Sequence, residues 1–307
     1  MEDQLKAITS KLYIKKEVDN IFTSNFLLSK MRAGERSYDG GTTIDIPIEQ
    51  AQGAVGGSFK GLELLNTSFG DITTQATYEW RQMYSPLAWS HRDYLINKGS
   101  KQKIVDMVAA ITRNAGKTMS KNLTTGIFQA TKANSNDIDG LLVATVAAST
   151  TDCGALSSTD IATWAAQRDT TTTKLTLAAL NNLWRDCSDG PDVPNLLVST
   201  DKILGFFYDL STPLQRYSNE AALKAGFEGV MTFNGVPFYA DKNCTADQVF
   251  MLNLDHLWMG VHQDENMRYQ EPQVPLNQSG NIGHIFWMGN ILCDARRRQG
   301  LMTSITS

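Results

Sequence analysis

Residues 100–130 read SKQKIVDMVAAITRNAGKTMSKNLTTGIFQA. Ile104, Val108, Ile111, Ala115, Met119, Leu123 and Ile127 recur every three or four positions, the spacing that lines one face of an α-helix. Ser100 is a suitable N-cap. The pattern predicts a helix of roughly 45 Å at 1.5 Å per residue. Its opposite face carries Lys103, Asp106, Arg113, Lys117 and Lys121. A single amphipathic helix of this length forms the backbone of a domain, so the flanking segments are read for what they lay against it.

On the N-terminal side, Leu5, Ile8 and Leu12 suit one short helix, and Phe22, Phe26, Leu27 and Leu28 another. The turn-rich Gly34–Gly41 stretch leads to Ile44, Ile46 and Ile48, which alternate with Thr43, Asp45 and Pro47 as in a strand. Pro47 restricts that strand to an edge or a free ribbon. Residues 51–61 hold Gly53, Gly56, Gly57 and Gly61, too many glycines for a rigid element. Ile72, Thr74, Ala76, Tyr78 and Trp80 then share one face of a second strand. Residues 40–80 therefore read as two strands joined by a pliable tip. An isolated hairpin is marginal in water, so this ribbon must lie on its own chain or on a neighbour.

On the C-terminal side, residues 131–174 read mostly as loop. A helix is predicted at 175–187 and a buried strand at Asn195–Ser199; Thr200-Asp201 caps a helix through Phe207. Asn234-Gly235 is the turn of a hairpin between Phe227–Phe233 and Val236–Ala240, and Pro237 places its second strand at an edge or bulge. Two short strands follow at Val249–Leu254 and Leu257–Val261. The longest strand runs through Ile282, His284, Phe286, Met288, Asn290 and Leu292 on one face, with Gly283, Ile285, Trp287, Gly289, Ile291 and Cys293 on the other.

The chain has 307 residues, 42% of them hydrophobic and 20% charged, which is globular rather than disordered composition. With 28 Lys plus Arg against 32 Asp plus Glu, its net charge of −4 argues against a protein that wraps nucleic acid or coats an anionic membrane. No apolar run reaches the ~20 residues of a membrane span, and no signal-peptide core is present, so a soluble cytoplasmic product is expected. Cys153, Cys187, Cys244 and Cys293 form no CxxC pair and are read as small buried hydrophobes rather than disulfide partners or zinc ligands.

A search for chemistry finds little. Phosphate-binding glycine loops are absent, since Lys60 precedes Gly61 and no helix follows. His256 and His262 lack metal-ligand spacing, and His91 and His284 are isolated. Cys244 with His256 could form a thiol–imidazole pair, but no local signature surrounds either. Asp186/Asp189 and Asp264/Glu265 read as solvated acidic pairs. Arg296, Arg297 and Arg298 form the densest basic cluster, suited to phosphate or to a carboxylate surface. The six tryptophans are dispersed and read as core.

The order of these elements resembles that of the major capsid proteins of tailed bacteriophages, the Hong-Kong-97-like fold. Four stretches are similar to members of that family: Ile138-Asp139-Gly140-Leu141 after the long helix, Gly154–Trp164, Phe233-Asn234-Gly235-Val236-Pro237-Phe238 before Ala240-Asp241, and Trp287–Ile305 through Arg296-Arg297-Arg298-Gln299-Gly300-Leu301. The resemblance implies an α+β fold. It would have an N-terminal arm (1–34), an extended two-stranded loop (35–80) and a peripheral domain (81–174) with its spine helix at about 98–130. An α/β axial domain (175–245) and returning peripheral strands (246–307) would follow.

It also implies a non-enzymatic coat protein, without cofactor or metal, that assembles into an icosahedral shell around double-stranded DNA. Its partners would be further copies of itself in hexamers and pentamers, portal and scaffolding proteins, a decoration protein and the packaged DNA, contacted non-specifically. It would reside in the virion, and in the host cytoplasm during assembly. Intersubunit contacts are expected at Ile44, Ile46, Ile48, Gly53, Gly56, Gly57, Lys60, Arg296, Arg297 and Arg298. Some relatives carry a helix-rich N-terminal scaffolding extension. None is read here, so a separate scaffolding protein, or a form already lacking that segment, is expected. Some relatives cross-link a loop lysine to an asparagine; Lys60 lies in the corresponding loop, but no partner asparagine or activating glutamate is identified. The alternatives are an encapsulin-type nanocompartment shell and a cytoplasmic α/β hydrolase or transferase using Cys244 or His256.

Overall fold

The computed structural model describes residues 25–49, 57–64, 72–97, 101–148, 151–159, 161–215 and 231–306. The helix expected around Leu5–Leu12, and Phe22, lie outside them. The chain order begins with α1 (Phe26–Ala33), which buries Leu27, Leu28 and Met31 and ends at Gly34. Strands β1 (Arg36–Tyr38), β2 (Thr43–Glu49), β3 (Thr73–Glu79) and β4 (Arg81–Ser90) follow, then α2 (His91–Asn97) and the long α3 (Lys101–Phe128). Next come β5 (Gln167–Asp169), α4 (Leu177–Cys187), β6 (Leu196–Ser199), α5 (Asp201–Gln215), β7 (Thr232–Phe233) and β8 (Val236–Ala240). The last strands are β9 (Val249–Leu252), β10 (Leu257–His262), β11 (Arg268–Gln273), β12 (Gly280–Cys293) and β13 (Gly300–Met302).

These strands make three sheets. β12 organises the first: β4 pairs antiparallel along Gly280–Gly289, while β11 and β10 pair with it and β1 runs parallel to β10. α3 lies on this sheet through Ala115, Met119, Leu123 and Ile127, against Leu87 of β4 and Ile285 and Trp287 of β12. The alternation read in β12 is observed from Gly283 to Gly289; from Gly289 to Cys293 both faces are buried, Asn290 and Leu292 as fully as Ile291 and Cys293.

The second sheet has the order β5-β13-β9-β6-β8-β7. β6, β9 and β13 are buried at every position. Leu196 and Val198 face the core shared with α3, whereas Leu197 faces α4 and α5 through Leu180, Leu183, Ile203 and Phe207. Strands covered on both faces read as unbroken apolar runs, which is why their sequences show no alternation. Two expectations are corrected here. The boundary at 245/246 does not follow the sheets, because β9 and β13, both beyond it, pair into the same sheet as β6 and β8. Pro237 does not place β8 at an edge; β8 lies between β6 and β7, and its pairing with β6 begins at Phe238, past the proline that cannot donate. The turn joining β7 to β8 has φ of 51° at Asn234 and 83° at Gly235, both left-handed as a type I′ turn requires.

The third sheet is the β2–β3 ribbon, in register from Thr43↔Glu79 to Glu49↔Thr73. Ile44, Ala76 and Tyr78 are buried at its root.

The Ile138-Asp139-Gly140-Leu141 stretch has a packing role. A Cβ on Gly140 would meet the Gly126 carbonyl at 2.2 Å, and one on Gly126 would meet Ile138 Cγ1 at 2.6 Å, so α3 and this loop touch through paired glycines. Asp139 pairs with Lys132 and lies 3.6 Å from Arg81 Nε. It also accepts from Asn290 Nδ2 at 2.6 Å, while its own N–H donates to Asn290 Oδ1 at 3.0 Å. The end of α3 is thereby tied to β4 and β12.

Candidate assembly surfaces

The ribbon has a fixed root and an exposed tip. At the root the Tyr78 hydroxyl donates to the Cys293 carbonyl at 2.8 Å and lies 3.5 Å from Cys153 Sγ. The Thr77 N–H donates to the Gly154 carbonyl at 2.8 Å, and Trp80 Nε1 donates to the Gly41 carbonyl at 3.0 Å. Gly154, at φ 62°, is where only glycine fits, since a Cβ would come within 2.7 Å of Ala76 Cβ. Trp164 Nε1 donates to the Cys153 carbonyl and closes the Gly154–Trp164 loop beneath the ribbon. Ile44 is therefore part of the chain's own core, at 4% exposure, and is corrected from the expected intersubunit set. An alternating apolar face looks the same whether it meets its own chain or another. Ile46 and Ile48 are half-buried, packed against the same cluster.

Gly53 and Gly56 lie outside the described residues. Gly57 and Lys60 are exposed; a Cβ on Gly57 would meet nothing within 4 Å, and the Lys60 backbone N–H donates to Glu63 Oε2 at 3.2 Å. Phe59 is 63% exposed, and Leu62 and Leu64 entirely so. Covering such a side chain on a neighbour contributes about 1.5–3 kcal/mol each. The sequence reading stressed the glycines of this tip and missed its apolar residues. It also missed a second apolar set, at one end of the first sheet: Leu95 and Ile96 of α2, with Val274 and Leu276 in the β11–β12 loop. The His91 N–H donates to the Ser279 carbonyl at 3.2 Å and holds that loop beside α2. The Val274-Pro275-Leu276 run amid polar residues was the available signal.

The three arginines separate. Arg296 is fully buried and is also corrected from the intersubunit set. Its Nε donates to the Thr145 carbonyl at 3.0 Å, Nη1 to Thr151 at 3.0 Å, and Nη2 to Ala147 at 3.2 Å and Ala148 at 3.4 Å. A guanidinium can supply this fork of donors, and here it collects the carbonyls of one loop end. Arg297 pairs with Asp189 at 3.1 Å and Arg298 with Asp192. The Arg298 hydrogen bond holds the Asp192 carboxyl below its usual value.

Cys244 and His256 do not form a pair. The Cys244 thiol contacts the Thr245 carbonyl, whereas His256 is held between Asp294 Oδ1 at 2.8 Å and Arg298 Nη1 at 3.1 Å. Burial pushes the thiols of Cys187 and Cys244 from 9.0 up to about 12, opposite to an activated nucleophile. This has a measurable consequence. An unfolded thiol ionises near its ordinary value while the folded one stays protonated, so the folded state is favoured below pH 9 and loses that advantage between pH 9 and about 12. Unfolding free energies from urea titration should fall across that window by up to about 1.4 kcal/mol per pH unit for each thiol, and the C187A/C244A variant should show a shallower decline. Equal slopes would mean these thiols are not desolvated. Among the described residues no cluster of His, Cys, Asp and Glu could hold a metal, and no helix is long and apolar enough to cross a membrane.

The arrangement of ribbon, spine and two sheets matches solved shells. The structure superposes on a chain of the cyanophage A-1(L) capsid asymmetric unit with a TM-score of 0.70, at 14% identity, over 89% of this chain and 91% of that one. The chain has the Hong-Kong-97-like capsid fold. The same fold in Mycobacterium phage Bobi aligns at a TM-score of 0.57 and 12% identity over 90% of both chains. The SrpI encapsulin of Synechococcus elongatus aligns at 0.56 and 9% identity, over 88% of this chain and 84% of that one. No family model and no curated protein matches the sequence.

Proposed function

We propose that this chain is the major capsid protein of a tailed phage, building an icosahedral shell of hexamers and pentamers around double-stranded DNA. The observation that carries this reading is the match to the cyanophage capsid chain across nine-tenths of both molecules. The exposed Phe59, Leu62 and Leu64 at the ribbon tip support it, because such residues are covered when subunits interlock. The role is structural rather than enzymatic, its site the virion and, during assembly, the host cytoplasm.

In this reading residues 1–34 are the arm and 35–80, apart from β1 in the first sheet, the extended loop that reaches an adjacent subunit through Ile46, Ile48, the glycines Gly53, Gly56 and Gly57, and Lys60. The α3 sheet is the peripheral domain, and the six-stranded sheet with α4 and α5 the axial domain. Arg297, exposed and paired with Asp189, remains available to sister subunits, as does the edge of Arg298 left uncovered between Asp192 and His256. Portal, scaffolding and decoration proteins are the further partners. The encapsulin reading shares the fold, but the phage capsid alignment is the stronger, 0.70 against 0.56.

The test is negative-stain electron microscopy with mass photometry on the purified overexpressed protein, alone and with an added scaffolding protein. Closed shells of megadalton mass are expected. A uniform dimer or tetramer under both conditions would overturn the proposal. Nucleic acid rather than a cargo enzyme inside native particles separates phage from nanocompartment.

A further inference from the structure

The outward face of α3 has no role in the packing described above. Arg113, Lys117 and Lys121 are exposed along it at successive intervals of four residues, about 6 Å apart, with Asn114, Thr118, Asn122 and Thr125 exposed between them. From Met107 to Asn136 the chain contains no aspartate or glutamate, although its net charge is −4. Lys132, the other cation of that run, is taken up by Asp139. The ion pairs among the described residues leave out Lys117 and Lys121. The large exposed apolar side chains are all elsewhere among the described residues, at the ribbon tip, β4–α2, Val193 and the β11–β12 loop.

We infer that this face of α3 lies on the phosphate backbone of duplex nucleic acid, and that it is the side of the subunit turned toward the shell interior. The inference rests on the shell reading and adds a surface and an orientation to it. A protein partner would need an apolar or aromatic centre to its interface; the exposed positions of α3 from Arg113 to Thr125 hold none, and the nearest aromatic, Tyr84 of β4, flanks the face at Asn122 rather than lying at its centre. A polar ridge of evenly spaced cations suits a dense, sequence-independent line of charge; a duplex carries about seven phosphates over the ~12 Å that the three cations span. Each subunit makes few such contacts, so binding is weak alone and summed over the shell. That reconciles a local basic ridge with a chain whose net charge is −4.

The test uses unassembled subunit separated by size exclusion, titrated into a fluorescent 30-base-pair duplex at 25–150 mM NaCl. Two phosphate contacts, at Lys117 and Lys121, give a slope of log K against log salt of about −1.8. The K117Q/K121Q variant should lose most of that slope, whereas K174Q/K202Q, the same charge change at exposed residues elsewhere, should keep the wild-type slope. No binding by the wild type, an unchanged slope in K117Q/K121Q, equal losses in both variants, or equal competition by polyglutamate would each overturn the inference, the last in favour of an acidic protein partner. Electron microscopy of the same preparations reports shells independently. Wild-type shells with an unaltered slope would leave the shell reading standing and remove this one.

Discussion

A chain lacking residues 53–61 is expected to stay folded and soluble but to form no closed shells. The ribbon root does not depend on the deleted segment: Ile44, Ala76 and Tyr78 are buried, and Tyr78, Thr77 and Trp80 are hydrogen-bonded to Cys293, Gly154 and Gly41. What is lost is the reach of the tip and the apolar contact of Phe59, worth about 1.5–3 kcal/mol at each copy. A shell repeats that contact at every subunit, so a modest local loss reduces closed particles to background. The point variant F59D/L62D provides the same test without shortening the chain; both side chains are exposed, so its unfolding midpoint should match the wild type while shells disappear. Normal shells from either variant would show that the tip is not an interface.

The largest effect on the subunit itself is expected at Arg296. Replacing it by methionine keeps the bulk of the stem and removes every donor, leaving the carbonyls of Thr145, Ala147, Ala148 and Thr151 without their partner. Stranding the buried acceptors at Thr145 and Ala147 costs about 1–3 kcal/mol each, while water can reach the carbonyls of the exposed Ala148 and half-buried Thr151, so a total of about 3–5 kcal/mol is expected. Denaturant unfolding of the unassembled F59D/L62D subunit, with and without R296M, measures it. Lysine at this position should recover less than half, since an ammonium cannot reach four carbonyls as a planar fork does. Alanine at Arg297 should cost no more than about 1 kcal/mol, because its pair with Asp189 faces solvent. An R296M midpoint close to wild type would mean that the loop carbonyls find other donors.

The contrast among these arginines marks how far the sequence could be read. Where burial is one-sided, as in α3 and in β12 up to Gly289, periodicity carries the fold, and the helix and strand follow from residue spacing alone. The Asn234-Gly235 turn was legible for the same local reason. Short strands buried on both faces carry no such mark, so nothing in Val249–Leu252 or Gly300–Met302 says which sheet they enter. Arg296 was illegible because its partners lie some 140–150 positions away. At the candidate surface the glycines announced pliability. The exposure of Phe59, Leu62, Val274 and Leu276 is a tertiary fact that composition does not reveal.

The six-stranded sheet has a consequence for the order of events in the cell. β6, at residues 196–199, is flanked by β8 and by β9, and β9 in turn needs β13 at residues 300–302. A nascent chain on the ribosome therefore cannot complete this layer until residue 302 has emerged from the exit tunnel. Until then β9 presents an open apolar edge that invites aggregation, which places a premium on chaperone cover late in translation. Translation products cut short before β13 lack a finished sheet. The chain's topology thereby withholds the folded state from copies whose synthesis stops early.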